Sequence, residues 1–340
     1  MPATNLAPES PRAYPSHRRA CYALFVLWLA YILSFIDRNI MAVMVDPIRA
    51  AFGLSDVEFS LLHGTAFTVF YIFLGLPIGS LADRMSRRTI IFIGVLFWSV
   101  MTFLCGLANS FLMLFLIRIG VGVGEAALSP AAYSLLGDYF SPRKLRWATA
   151  FFSTGITLGT GLSYHLGGWV YTVMDQYLAA DVNWAPWQAT FMLVGLPGLI
   201  VVALVFFMVE PPRQNTGVNA VQHIENKPLP FRQVVNQWQS HWQAYGALFI
   251  AVSLFAIIGY GSMAWSPAWL MRHYGLERVA AGSSLGGIYL FAGTAGSLAG
   301  AVLAGYLHRA GFEDANARWV MLVAALVTLP ASFAPTMADE

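Results

Sequence analysis

Charge is what this chain has least of. Only 11% of its 340 residues are Asp, Glu, Lys or Arg, against 58% hydrophobic residues and a mean hydropathy of +0.62. Soluble proteins carry about 25% charged residues, so water is excluded as the main solvent. The formal net charge is +2, and no Lys/Arg cluster is interleaved with exposed aromatics, which excludes a nucleic-acid surface. Cysteine is scarce as well. Cys21 opens the first apolar run and Cys105 lies near the end of the third, placing them at opposite membrane faces and ruling against a disulfide between them. No metal-spaced cluster or nucleophile motif is present, and His17, His63, His165 and His308 are scattered. An enzyme acting on lipid needs a catalytic cluster near one interface, so neither an enzyme nor a metal or cofactor site is expected.

What the chain has is apolar length. Residues 1–19 are polar, contain Pro2, Pro8, Pro11 and Pro15, and end in Arg18-Arg19. The run that follows is too long for a signal-peptide core and lacks a small-residue cleavage site, so a short cytoplasmic tail and a retained helix are expected. Hydropathy places spans near 20–46, 57–82, 89–108, 111–137, 147–171, 187–209, 244–270, 279–307 and 317–336, about nine in all. With the amino terminus inside, one side collects Arg12, Arg18, Arg19, Arg84, Arg87, Arg88, Arg143, Lys144, Arg146, Arg213, Lys227, Arg232, Arg309 and Arg318. The other side holds Arg49, Arg272 and Arg278. This bias alternates at every loop and predicts the orientation. The stretch 210–243 begins Glu210-Pro211-Pro212-Arg213, which stops a helix. Its later Phe231, Val234, Val235, Trp238 and Trp242 have helical spacing and predict a surface-lying helix. The expected organisation is a tail (1–19), a six-helix bundle (20–209), a cytoplasmic linker (210–243) and a partial three-span bundle (244–340).

Asp37, Arg38, Arg118 and Glu125 fall well inside spans. Each charge at mid-membrane costs roughly 2.5–3.5 kcal/mol, so the two acids and two bases are expected to meet inside the bundle or face a wet cavity. At about 1.5 Å per residue, Asp37 lies roughly 13 Å and Arg118 roughly 10 Å below the outer ends of their spans, near one level. Glu125 is seven residues past Arg118, on the same helix face and two turns deeper. The glycines of Arg118-Ile-Gly120-Val-Gly122-Val-Gly124-Glu125 strip bulk from the backbone and let a neighbouring helix approach. The four charges read either as structural glue or as a proton or ligand relay in a solute carrier. His63 and His165 also lie in spans and titrate near neutral pH when unperturbed. Packing is the simpler reading of both. Glycines of span five (Gly155, Gly159, Gly161, Gly167, Gly168) and of span eight (Gly282, Gly286, Gly287, Gly293, Gly296, Gly300) predict close-packed faces.

Gly79-Ser-Leu-Ala-Asp83-Arg84-Met-Ser-Arg87-Arg88 resembles the signature loop of the major facilitator superfamily, with Ser86 in place of the usual glycine. Within it the chain resembles the Spinster-like group, on Phe35-Ile-Asp37-Arg38-Asn39, Gly53-Leu-Ser-Asp56, Gly120-Val-Gly-Val-Gly124-Glu125, Ser129-Pro130 and Asp138-Tyr-Phe-Ser-Pro142. The resemblance implies an all-α bundle in a bacterial inner membrane with a cytoplasmic amino terminus. It implies a proton-coupled, alternating-access carrier of an amphipathic or anionic substrate, with sphingolipids or lysophospholipids as the type and no cofactor. Asp37 and Glu125 are implied to handle protons, Arg38 and Arg118 to gate or to bind an anionic head group, and Gly79, Asp83, Arg84, Arg87 and Arg88 to form the conformational loop. Tyr31, Phe67, Tyr71, Tyr133 and Trp265 are candidates for an aromatic cavity lining, although aromatic stripes also serve helix packing. The alternatives are a small organic anion symporter, for a sugar acid or aromatic acid, and a non-transporting remnant. Gly305-Tyr-Leu-His-Arg309 reads as the degenerate second-half counterpart of the loop, with Arg309 where the first half has Asp83. By that alignment spans ten to twelve are missing, the carboxyl terminus lies outside, and spans seven to nine and the transport activity are expected to be weakened.

Overall fold

The structure, a computed structural model, describes residues 14–178, 184–213, 236, 238–311 and 326. The ninth span expected over 317–336 and most of the expected linker helix lie outside these residues.

Among the described residues every regular element is helical. The first span is α1 (His17–Asn39), followed by a 3₁₀ turn (Ile40–Val43) and a short helix, α2 (Val45–Phe52). The run expected as one helix over 20–46 therefore changes pitch at Asn39. Gly53 ends α2 at φ 66°, a left-handed conformation that suits glycine. Ser55 then starts span two with a capping box, its hydroxyl accepting from Glu58 N at 3.2 Å while the Glu58 carboxylate accepts from Ser55 N at 2.8 Å. Span two runs through α3 (Asp56–Ser60), a π turn (Leu61–Thr65) and α4 (Ala66–Arg84).

Span three is α5 (Arg87–Cys105). Span four is a broken pair, α6 (Phe111–Glu125) and α7 (Leu128–Tyr139), with Pro130 in the first turn of α7. Span five is α8 (Pro142–Tyr177). Span six is α9 (Pro186–Gly195) and α10 (Pro197–Phe206), divided at Pro197. The remainder comprises α11 (Trp242–His273), α12 (Arg278–Gly287), a second π turn (Ile288–Gly293) and α13 (Thr294–Arg309).

Seven of these stretches are long and apolar enough to cross a membrane. Helix α8 is the exception, and its position explains it. It packs on α1 on one side and on α12 on another, so several of its polar groups find partners in protein. Trp28 Nε1 donates to Thr154 at 3.0 Å, Tyr164 donates to the Met263 carbonyl at 2.5 Å, and Thr157 and Thr294 are hydrogen-bonded at 3.0 Å. Glycines set how closely these helices approach. A Cβ on Gly159 would lie 2.5 Å from the Ile32 carbonyl oxygen, and one on Gly161 2.8 Å from that of Gly286. In span four the approach comes from span two and α5, with the Phe67 carbonyl against Gly122 and Trp98 against Gly124. Cys21 is exposed, Cys105 is buried, and both are free.

Candidate functional site

The last turn of α1 carries Asp37 and Arg38, about 100° apart around the helix axis, and Ser34 lies one turn below Arg38. Arg38 donates to Glu125 Oε2 at 2.7 Å, and the Ser34 hydroxyl donates to the same oxygen at 2.7 Å. Three aromatic rings surround the guanidinium, with centroids 4.6 Å (Phe35), 4.4 Å (Phe67) and 5.2 Å (Tyr71) away. Arg118 is fully buried and donates to the main-chain carbonyls of Asp37 at 3.2 Å and Arg38 at 3.4 Å. Those carbonyls belong to the final turn of α1, where a helix leaves acceptors unsatisfied and carries partial negative charge. Asp37 is buried and accepts at Oδ2 from Thr102 at 3.3 Å. Its Oδ1 and Glu125 Oε1 have no hydrogen-bond partner among the described residues.

The four charges thus meet, but not as two ion pairs. Arg38 and Glu125 form one. Arg118 is held by the helix terminus, because the end of α1 at Asn39 presents carbonyls where a carboxylate was expected. Arg118 shares a level with Asp37 and Arg38, while Glu125 meets Ser34 one turn lower and Arg38 reaches down to it.

Arg38 also lines a cavity of ≈ 500 Å³ between the end of α1, span two and α11. Of the residues expected there, Arg38, Phe67, Tyr71 and Trp265 contribute to it. Tyr31 is buried outside it, stacked on Phe152 of α8 at 4.4 Å and 5°, and Tyr133, 43% exposed, meets the same ring edge-on at 5.3 Å. Arg118 and Glu125 sit behind the wall. Unforeseen lining residues are Asn39, Ser60, His63, Thr68 and Tyr260. Tyr260, Ala264 and Trp265 follow one helical face, so Trp265 and its spacing were the available signal.

At the end of span two, Gly79 faces Pro130 of α7, at 3.9 Å from an added Cβ. Arg84 ends α4, and the side chain of Asp83 lies outside the described residues. Arg87 is 2% exposed and binds Asp138, Ser134 Oγ at 3.0 Å and Glu210 at 3.1 Å. Arg88 donates to the Met208 carbonyl at 3.0 Å, and Arg213 to those of Ala82 at 2.8 Å and Met85 at 3.0 Å. Glu210, read from sequence only as part of a helix stop, anchors the loop. Burial alone would raise its pKa, but hydrogen bonds from Ser86 and from Arg87 and Arg88 hold it below the usual carboxylate range.

At the opposite end Arg272, closing α11, binds Asp46 at 2.6 Å and Asp56 at 3.0 Å, and Arg49 binds Asp56 at 3.1 Å. Arg278 donates to the Val43 carbonyl at 2.8 Å and lies over Tyr171 at 3.8 Å. These contacts tie α11 and α12 to the segment between spans one and two.

A match to the Major Facilitator Superfamily runs over residues 27–339. The chain belongs to the major facilitator superfamily. It is therefore a multi-pass member of a family of transporters, not of enzymes, and Spinster proteins are among its relatives. It is 31% identical over 265 residues to the protein spinster homolog 1 of Xenopus laevis, covering 76% of this chain and 47% of that one. It is 25% identical over 315 residues to a probable L-galactonate transporter of Escherichia coli, covering 89% and 66%. Among solved structures, a bacterial homologue of the human lysosomal transporter Spinster, inward-facing and unoccupied, superposes with a TM-score of 0.72 at 30% identity, covering 87% of this chain and 64% of that one. The chain thus spans about half to two thirds of the length of these relatives.

Proposed function

We propose that this major facilitator superfamily chain serves as a secondary active, proton-coupled, alternating-access carrier of an amphipathic, lipid-like anion. The observation that carries the reading is the Arg38–Glu125 pair at the wall of a largely aromatic and aliphatic cavity. A substrate anion and the Glu125 carboxylate compete for one guanidinium. Protonating Glu125 removes the competitor, so proton and anion favour each other's binding at this site, and by linkage the preference is reciprocal. Asp37 is the second proton carrier, through its unpartnered Oδ1. The Arg272 cluster closes the outer face in this arrangement, and Arg87 with Glu210 ties span three to the segment after span six. In this reading the amino terminus lies in the cytoplasm of a bacterium, and residues 20–209 form the first bundle, linked through 210–243 to 244–340.

The assay is flux into proteoliposomes with and without a pH gradient. Gradient-driven uptake by the parent chain, lost in E125Q and D37N, supports the reading. Unchanged driven uptake in both variants overturns the proton assignment, and absence of any flux favours a remnant. A second reading, a sugar-acid carrier, is favoured by the probable L-galactonate transporter among the relatives. Competition between lysolipids and galactonate separates the two.

A further inference from the structure

His63 sits in the middle of the π turn Leu61–Thr65 that interrupts span two, and it lines the same cavity as Arg38. Single π turns inside helices concentrate at functional sites. Its ring is held by stacking on Phe59 at 6.0 Å and 16°, and Phe59 in turn meets Trp265 of α11 edge-on at 6.1 Å. His63 Nδ1 is buried with no hydrogen-bond partner among the described residues, and so is Arg38 Nε. Two other polar groups of the wall, Asn39 and Ser60, are committed to protein. Asn39 donates to the Phe35 carbonyl at 2.9 Å, and Ser60 to the Asp56 carbonyl at 2.9 Å. A buried polar atom left unsatisfied carries its desolvation cost, a cost removed when a ligand supplies the partner. Beside the ring, Gly64 faces open space, with nothing within 4 Å of an added Cβ.

We infer that His63 and Arg38 together hold one solute at two points, Arg38 taking its anionic group and His63 a hydroxyl next to that group. A neutral imidazole offers one donor and one acceptor, which matches a hydroxyl, while the guanidinium offers donors only. The rings of Phe67, Tyr71 and Trp265 receive the apolar remainder. The chemical class is a hydroxylated anion, either a polyol lipid head group or a free polyhydroxy acid. This inference rests on the carrier reading and narrows its substrate.

The test is equilibrium binding of three probes to the purified full chain in nanodiscs: 1-oleoyl lysophosphatidylglycerol, which has head-group hydroxyls, dodecyl phosphate, which has none, and D-galactonate. Loss of one hydrogen bond to the probe predicts that H63F weakens lysophosphatidylglycerol binding about ten-fold, leaves dodecyl phosphate within about two-fold, and that H63Q restores most of the loss. R38M weakens both. H63A takes the place of H63F if the latter does not fold. The inference is overturned if the His63 variants leave lysophosphatidylglycerol binding intact or weaken both lipid probes equally, since the role is then one of shape. If only galactonate binds the parent chain, and does so with dependence on His63, the two-point contact stands and the lipid-like substrate falls. Failure of all three probes to bind the parent chain overturns both.

Discussion

Replacing Glu125 with glutamine isolates the charge of the central ion pair. The amide keeps the shape and still accepts from Ser34 and Arg38, both now at 2.7 Å from Oε2, so the hydrogen-bond geometry is retained and only the charge is lost. Removing one partner of a buried pair outright costs about 3–5 kcal/mol. The Ser34 bond becomes neutral, with about half the strength of a charge-assisted one, while Arg38 still donates as a cation, and three rings at 4.4–5.2 Å go on stabilising the guanidinium. The expected loss is therefore about 1.5–3 kcal/mol, below the figure for outright removal. R38M is the informative partner variant. It strands the Glu125 carboxylate where E125Q strands the guanidinium, so each single variant removes one partner of the buried pair. In the double variant E125Q/R38M no charge is stranded, and stability should return to within about 1 kcal/mol of the parent. Reversible unfolding in mixed micelles, followed by tryptophan fluorescence, measures all four corners of the cycle. A coupling energy indistinguishable from zero refutes the argument that the pair is an energetic unit.

Three further outcomes are expected. Because Glu210 is held below the usual carboxylate range, its tie to Ser86, Arg87 and Arg88 is fully present above that range and is lost as pH falls through the lowered value. The protection of the amides of residues 208–210 and 213, taken relative to their intrinsic exchange rates, should fall in acid in the parent chain and be low at every pH in E210Q. Placing leucine at Gly159 drives a side chain into the Ile32 carbonyl across the α1–α8 contact, at a cost of about 1–3 kcal/mol or more for overpacking. A melting temperature within error of the parent contradicts that packing. Substituting Arg272 with glutamine leaves the clustered Asp46 and Asp56 to Arg49 alone. Exposed pairs are each worth about 0.2–1 kcal/mol, so labelling of Y260C from the Arg272 side, in a background without Cys21 and Cys105, should rise about five-fold, and unchanged labelling sinks the idea of a latch there.

Most of the architecture was legible because crossing a lipid phase demands long apolar runs. Those runs located the spans and isolated Asp37, Arg38, Arg118 and Glu125 as residues needing an explanation. Span five illustrates the limit. Its threonines, tyrosines and serines lower its hydropathy, and only the packing of α8 against α1 and α12 shows that protein, rather than lipid, surrounds Thr154, Thr160, Ser163 and Tyr164. The aromatic candidates divided for a similar reason. Tyr31 lies seven residues, or two turns, before Arg38, but the α8 side of α1 gives it Phe152 as a neighbour. His63 looked like a packing residue in one dimension, since a π turn leaves no composition signature.

Composition and the lengths of the apolar runs settle that this chain is a helical membrane protein and which charges it buries, because crossing lipid demands long apolar runs and makes any charge within them costly. Which charge meets which was decided by tertiary structure. A side chain's partner depends on how each helix is rotated and where it stops. With α1 ending at Asn39, Arg118 finds carbonyls instead of a carboxylate, and Arg38 is left to reach Glu125 beside the cavity.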